Sequence, residues 1–352
     1  MSRLLDQPGG MTYAAAGVSI AAGDETVQRI TAAVASTARP EVLGGIGGFG
    51  GLFALDTSAY SSPVLVASAD GVGTKLEVAR QVGRYDTVGI DLVAMLVDDL
   101  ACVGAEPLFV LDYVAVGALE PRRLEELVGG IAHGCRIAGA ALLGGETAEH
   151  GGVMKPDDLD VAGFAVGVVE RGRELGPERV RPGDALIGFA SPGLRSNGYS
   201  LARAVLVTSE AALHEPAYEG AERTLADELL VPSVIYAPTV IAVVRAFGGA
   251  LHACAHVTGG GIVGNVARIL GDQFDAVIDM ESFSTPEIFY EIQRRGNVGA
   301  DEMVRVFNCG LGMVLAIDPS AADAAVGLSR SMGVGAWVVG EVRAGSGRVV
   351  LQ

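Results

Sequence analysis

Aromatic residues supply only 5% of this 352-residue sequence, with a single tryptophan, so the core is expected to rest on Val, Leu, Ile and Ala. Basic residues are also scarce. Lys and Arg together number 25 against 42 Asp and Glu, a net charge of −17 with His neutral, which excludes a nucleic-acid partner held by a broad basic face. Anions must instead be captured locally. Cysteines number four, and Cys102, Cys135, Cys254 and Cys309 form no C-x-x-C pair. Neither a zinc ribbon nor a disulfide framework follows, and reduced thiols in a cytoplasm fit best. Long apolar runs are missing as well. The longest stretch free of Asp, Glu, Lys and Arg, Ala246 to Ala267, is broken by glycines, two histidines, Thr258 and Asn265, so it reads as strand, turn and helix and no membrane span is expected. The opening Met1–Gly10 has no apolar h-region, so no signal peptide is expected. No G-x-x-x-x-G-K-[ST] loop occurs anywhere.

Half the residues are apolar and 19% charged, the reverse of a disordered chain, and the length suggests two domains or one large one. Glycine, 50 residues, is about twice its usual ~7% without a collagen period. Many loops must therefore approach something closely or take positive φ. Periodicity predicts alternating helices and strands. In the first half these are a helix over Asp24–Ala38, a strand from Val64, a helix from Leu76, a helix over Thr87–Val103 and a strand over Leu108–Val116. A helix over Pro121–Ala138, a short strand Ala141–Leu143 and a strand Val161–Val169 follow. The polar run from Glu170 to Arg179 reads as a linker. Beyond it come strands at Ala185–Ala190, Leu251–Val257, Ala276–Met280, Gly310–Ile317 and Ala336–Val342, interleaved with helices. The expectation is an α/β (α+β) protein with domains at 1–170 and 171–352.

Several strings carry chemistry. Asp70-Gly-Val-Gly-Thr-Lys75 sits between a strand and a helix. Gly71 and Gly73 free backbone amides, the helix offers its positive end, and Lys75 adds a mobile cation, so a phosphate fits there. Asp70 at the strand end suits Mg²⁺ beside phosphate oxygens. Asp91 and Asp98 are seven residues apart on an otherwise apolar helix, hence on one face, where carboxylates are costly unless a cation is near Asp98 or Asp99. Asp112 interrupts a strand, and Glu146 and Glu149 follow a Gly-Gly strand end, so acids from several segments are available to a Mg²⁺–nucleotide site. Arg195 precedes Ser196-Asn197-Gly198-Tyr199, where it suits a substrate phosphate bidentately and Ser196 or Asn197 suits a helix cap. His256-Val-Thr258-Gly259-Gly260-Gly261-Ile-Val-Gly264 satisfies G-x-G-x-x-G, with Asp279 eighteen residues past Gly261. That arrangement keeps a nicotinamide oxidoreductase open as an alternative, although a lone His on a strand, as His256 is, is more commonly a core histidine.

Taken together the strings resemble one family. Met11-Thr-Tyr-Ala-Ala-Ala-Gly-Val, Gly44-Gly-Ile-Gly-Gly-Phe-Gly, Asp70-Gly-Val-Gly-Thr-Lys, Gly89-Ile-Asp-Leu-Val-Ala-Met, Gly104-Ala-Glu-Pro-Leu-Phe, Gly144-Gly-Glu-Thr-Ala-Glu, Ser196-Asn-Gly-Tyr-Ser-Leu, His256-Val-Thr-Gly-Gly-Gly and Phe307-Asn-Cys-Gly-Leu-Gly-Met resemble the phosphoribosylformylglycinamidine cyclo-ligases, or aminoimidazole ribonucleotide synthetases. The likeness runs in order along nearly the whole chain. It implies ATP-dependent closure of formylglycinamidine ribonucleotide to aminoimidazole ribonucleotide in purine synthesis, by phosphoryl activation of the formamide oxygen. It also implies a homodimer whose N-terminal mixed sheets join in a shared barrel, a sandwich-like C-terminal α/β domain, and ATP and the ribonucleotide between the domains. On the matching positions, Asp70, Lys75 and Arg195 are expected to be catalytic. Gly45, Gly47, Gly48, Gly71, Gly73, Thr74 and Lys75 are expected at the ATP phosphates; Ser196, Asn197, Thr258, Gly259, Gly260 and Gly261 at the substrate; and Asp70, Asp98 and Glu146 at Mg²⁺. Three departures stand out. The family usually has His where Arg195 stands, frequently Asn where Asp98 stands, and often Met-Pro-Gly where this chain has His150-Gly151-Gly152. Arg stays protonated where His titrates, so the exchange either keeps a binding donor or marks a catalytically altered nucleotide-binding paralogue.

Overall fold

A computed structural model describes residues 10–352 except Ala14, Ala16 and Ile46. The stretch read for a signal peptide, and parts of the first and second family blocks, lie outside the described residues. The first half runs α1 (Ile20–Ala35), β1 (Val42–Leu43), β2 (Leu52–Phe53), β3 (Pro63–Gly71), α2 (Lys75–Val82), α3 (Asp86–Cys102), β4 (Glu106–Val116), α4 (Pro121–Ala138), β5 (Ala141–Glu149) and β6 (Leu159–Glu170). The second runs β7 (Ala185–Ala190), α5 (Tyr199–Leu206), α6 (Leu225–Leu229), α7 (Ala237–Phe247), β8 (Leu251–His256), α8 (Gly261–Val266), β9 (Phe274–Ile278), α9 (Glu287–Gly296), α10 (Ala300–Val306), β10 (Leu311–Ile317), α11 (Pro319–Ser331), β11 (Ala336–Ala344) and β12 (Val349–Leu351).

Two mixed sheets organise these elements. The first has four strands in the order β3-β6-β4-β5, with β4 and β5 parallel and the other pairs antiparallel. The second has six, β12-β9-β11-β7-β10-β8, antiparallel except for β9 and β12. One helix joins the halves. α3 packs on β3 and β6 and also on α7 and β8, and its residues are buried nearly all round, as an apolar helix inside a protein must be.

Glycine sets the approach of α4 to α3. A Cβ on Gly130 would lie 2.0 Å from Asp86 O, and one on Gly89 2.4 Å from Leu127 O, so the helix backbones touch where neither residue has a side chain. Gly130→Ala gains roughly 1 kcal/mol of helix propensity but overpacks a contact between backbones, which commonly costs about 1–3 kcal/mol or more. The expected result is a lower urea midpoint than wild type; an unchanged or higher midpoint would show that the helices have room to separate.

Some expectations shift. β5 runs on through Gly144-Gly145-Glu146 to Glu149 and does not stop at Leu143, because Gly145 lets the Asp112 carboxylate approach: a Cβ there would fall 1.6 Å from Asp112 Oδ1. The β1–β2 hairpin, α10 and β12 were not legible in the periodicity.

Candidate active site

Three turns at strand ends meet beside α3. The end of β3 contributes Asp70 and Gly71, the turn that follows it Gly73, and the turn before α5 Ser196 and Asn197. Together with Met95 and Asp160 they line a cleft of about 360 Å³. The third turn, Thr258 to Gly261 before α8, adjoins it: a Cβ on Gly259 would lie 3.6 Å from Asn197 Oδ1. Asn265 Nδ2 donates to the carbonyls of Thr258, Gly259 and Gly261, which holds that turn in shape. Ser196 Oγ is buried with no hydrogen-bond partner among the described residues, a cost that a ligand would remove. Asp70 accepts from the Gly71 N–H at 2.7 Å, and partial burial pushes its carboxyl above the ordinary aspartate value against that hydrogen bond. Thr74 lies at the start of α2, 3.3 Å from Ser200 Oγ through its own hydroxyl.

Behind the cleft lie two buried ion pairs, and they correct the reading of three expected residues. Lys75 is no mobile cation. It is fully buried, its Nζ 2.6 Å from Asp91 Oδ2 and donating to the carbonyls of Arg195 at 3.1 Å and Val231 at 2.8 Å. Bonded to two carbonyls and paired with a buried carboxylate, this ammonium is turned into the interior and not toward the cleft. Arg195 is likewise buried, not open to a phosphate fork. Its Nη2 donates to Asp98 Oδ2 and His256 Nε2, both at 2.8 Å, its Nη1 donates to Val234 O at 2.8 Å, and its guanidinium stacks over the Tyr236 ring. Asp98 is engaged on both oxygens, Oδ2 by Arg195 and Oδ1 by the backbone N–H groups of Tyr236 and Ala237, so its charge is already balanced inside the protein. The cations that the spacing of Asp91 and Asp98 demanded are thus the protein's own.

Glu146 fails as a metal partner of Asp70 for a different reason. Asp70, Gly163, Asp112 and Gly145 form one row across the first sheet. Glu146 is one residue past that row, so the pleat points it to the opposite face, and β5 is three strand spacings, about 14 Å, from β3. Among the described residues no group of three or more His, Cys, Asp or Glu is placed to hold a metal ion. The glycine loop misses the cleft too. Gly45 lies beside Leu143 on the β5 side, where Gly51 packs on that leucine, so Gly45, Gly47 and Gly48 are separated from Gly71 and Gly73 by the width of the sheet.

The nicotinamide alternative is overturned by topology. A dinucleotide fingerprint needs its second strand beside the first, but β8 and β9 are separated by β10, β7 and β11. Asp279 closes a turn through the Glu281 N–H, at 2.9 Å, on the far side of that sheet from Gly259. His256 is a buried core histidine with a defined state. Its Nε2 accepts from Arg195 and its Nδ1 meets Asp99 Oδ1 at 2.8 Å, so the network assigns the proton to Nδ1. The segment Val231–Tyr236, which supplies Val231 O, Ser233, Val234 O and Tyr236, was missed entirely. Only the spacing of Asp91 and Asp98 hinted that something must neutralise them.

Comparisons with known proteins place the chain. The family described as AIR synthase related protein, N-terminal domain, matches residues 56–169, and its C-terminal counterpart matches residues 181–352. The chain is 48% identical over 342 residues to a phosphoribosylformylglycinamidine cyclo-ligase of Carboxydothermus hydrogenoformans, covering 97% of this chain and 98% of that one. It is 52% identical over 341 residues to the protein of that name from Anaeromyxobacter dehalogenans, covering 95% and 96%. Among solved structures, thiamine-monophosphate kinase from Stenotrophomonas maltophilia superposes with a TM-score of 0.69 at 20% identity over 93% of this chain and 96% of that one. Hydrogenase maturation protein HypE in complex with ATP gives 0.66 at 17% over 95% and 92%, a likeness of fold. The chain belongs to the AIR synthase related proteins, in the family of phosphoribosylformylglycinamidine cyclo-ligases.

Proposed function

We propose that this chain is an ATP-dependent cyclo-ligase that converts formylglycinamidine ribonucleotide to aminoimidazole ribonucleotide, ADP and phosphate in purine biosynthesis. Identity near 50% along 97% of the chain to proteins of that name carries the reading, and the cleft is what the chemistry needs. The γ-phosphoryl group passes to the formamide oxygen, making it a leaving group; the amidine-side nitrogen attacks the same carbon, and phosphate departs as the ring closes. Such a reaction asks for positioning and for stabilised charge. Gly71, Gly73 and Thr74 offer backbone N–H groups at the start of α2 to the phosphates. Ser196 Oγ, Asn197 and the Thr258–Gly261 turn face the ribonucleotide. Asp70, at the cleft wall, orients the reacting groups, while Lys75 and Arg195 act from behind by holding the turns.

Magnesium belongs to this reading as the companion of the triphosphate. Asp70, Asp98 and Glu146 do not form one ligand set for it. The outer face of the first sheet exposes Leu65, Tyr113 and Phe164 on neighbouring strands, and a second copy covering it would close the shared barrel. Gly45, Gly47 and Gly48 enter the site only as a loop contributed by that copy. The four cysteines are free thiols, in keeping with a cytoplasmic enzyme whose domains divide near 170.

The test is turnover with ATP and formylglycinamidine ribonucleotide, following phosphate and the diazotisable amine together. Asp70→Asn is expected to lower kcat roughly 100-fold, the loss that misplacing a reacting group commonly brings. Wild-type turnover no faster than this variant would end the reading. Should nucleotide still bind with measurable heat, the chain would be the altered paralogue.

A further inference from the structure

Asp98 and Arg195 are each other's partners. Their side chains meet at 2.8 Å with both residues essentially inaccessible to water, and the same guanidinium nitrogen that reaches Asp98 also reaches His256 Nε2. Arg195 is held for this task. Its backbone is at φ 62, a left-handed conformation that costs a non-glycine residue energy. Its own carbonyl is tied to Lys75, and its guanidinium lies 4.7 Å from the centre of the Tyr236 ring. The partner side is equally fixed, since Asp98 Oδ1 accepts two backbone N–H groups from the start of α7.

We propose that Asp98 and Arg195 are a matched pair that positions His256 and, through it, Asp99. An arginine is always a donor, so facing Nε2 it forbids a proton there and forces the neutral ring to carry its proton on Nδ1, aimed at Asp99. His256 and the half-exposed Asp99 both line a second cavity of about 320 Å³ between β3 and β8. The charges that face the imidazole are Asp98 and Asp99 from α3, Arg195 from the turn before α5 and, at longer range, Asp70 from β3. Arg195 touches no part of the cleft; it acts through the ring. The pair is therefore exchangeable only as a unit, for a neutral His and Asn together and not for either alone.

This rests on the cyclo-ligase reading for its kinetic arm but not for its spectroscopic one. With ¹⁵N-labelled histidine, His256 assigned by loss of its signal in His256→Gln, the wild-type protein is expected to show an Nδ1–H tautomer. Arg195→Met, which removes the donor facing Nε2, is expected to show Nε2–H or an exchanging mixture. Kinetically, Asp98→Asn and Arg195→His are each expected to lose at least 100-fold in kcat with KM for ATP moved less than threefold. The double variant is expected to come within tenfold of wild type. An unchanged tautomer in Arg195→Met, or a double variant that is folded by circular dichroism yet as slow as the slower single one, would overturn the proposal. Absence of turnover in the wild type, with the Nδ1–H tautomer present and lost in Arg195→Met, would end the cyclo-ligase reading and leave the pair standing.

Discussion

Replacing Asp91 by Asn is expected to cost the fold roughly 3–5 kcal/mol, the range seen when one member of a buried ion pair is removed. Asp91 and Lys75 are both wholly inaccessible. Oδ1 of Asp91 accepts the Ser233 N–H at 2.8 Å and the Ser233 hydroxyl at 2.6 Å, while Oδ2 faces only the lysine. The amide preserves the shape and can still accept at one oxygen, but an ammonium left among two carbonyls has lost its neutralising charge and cannot reach water. Lys75 binds to Val231 O and Arg195 O, so the loss also loosens the seam between the two sheets, and turnover should fall with stability. The paired change Lys75→Met with Asp91→Leu removes both desolvated charges and is expected to regain most of the stability, since apolar replacement of such pairs is often neutral or favourable. Urea unfolding of the three proteins decides it. If Asp91→Asn unfolds within about 1 kcal/mol of wild type, the range of an exposed pair, the pair contributes no more than a surface contact does.

The second large effect is a pH dependence set by Asp112. Its side chain faces the helices between Val110 and Val114, in a cavity of about 290 Å³ shared with apolar groups of α1 and α4. Burial raises its carboxyl to about 7. The folded protein therefore keeps this proton up to about neutrality, whereas an unfolded aspartate releases it near ~4. Between those values the folded state binds more protons, so its stability falls as pH rises from ~4 to about 7 and stays reduced above. Three pH units correspond to about 4 kcal/mol as an upper bound, less for a group that is only half-buried by area. Asp112→Asn cannot ionise. It is expected to match wild type below pH ~4 and to exceed it by about 2–4 kcal/mol at pH 8. Taking the difference between the two unfolding curves cancels the other carboxylates. Parallel curves from pH 4 to 8 would show that Asp112 titrates normally.

Much of the fold was legible where chemistry marks the ends of elements. The helix Pro121–Ala138 and the strand Ala185–Ala190 fall where periodicity put them, the first because Pro sits in its first turn and Gly139, at φ 69, closes it in the left-handed region. The helix over Thr87–Val103 was right to within a residue at both ends. What was illegible depended on contacts distant in sequence. Gly145 looked like a strand terminator because the reason for it, Asp112, lies on the neighbouring strand. The cleft-facing Asp70, Ser196 and Asn197 were readable as turn residues. That Lys75 and Arg195 turn inward was not readable, since Asp91, Val231, Asp98 and Val234 reach them only through the tertiary fold. A basic residue beside a glycine turn looks the same in sequence whether it greets a ligand or buttresses the turn from behind.

The cleft holds Asp70 and Asp160, and among the described residues that line it there is neither lysine nor arginine. Both basic groups nearest to it spend their charge inside the protein. An incoming polyanion thus finds a doorway of the same sign as itself, softened only by peptide dipoles. If ATP binds there as proposed, its counter-charge would have to be imported, with the guest or with another subunit, and discrimination at this doorway would fall on what escorts the anion as much as on the anion itself.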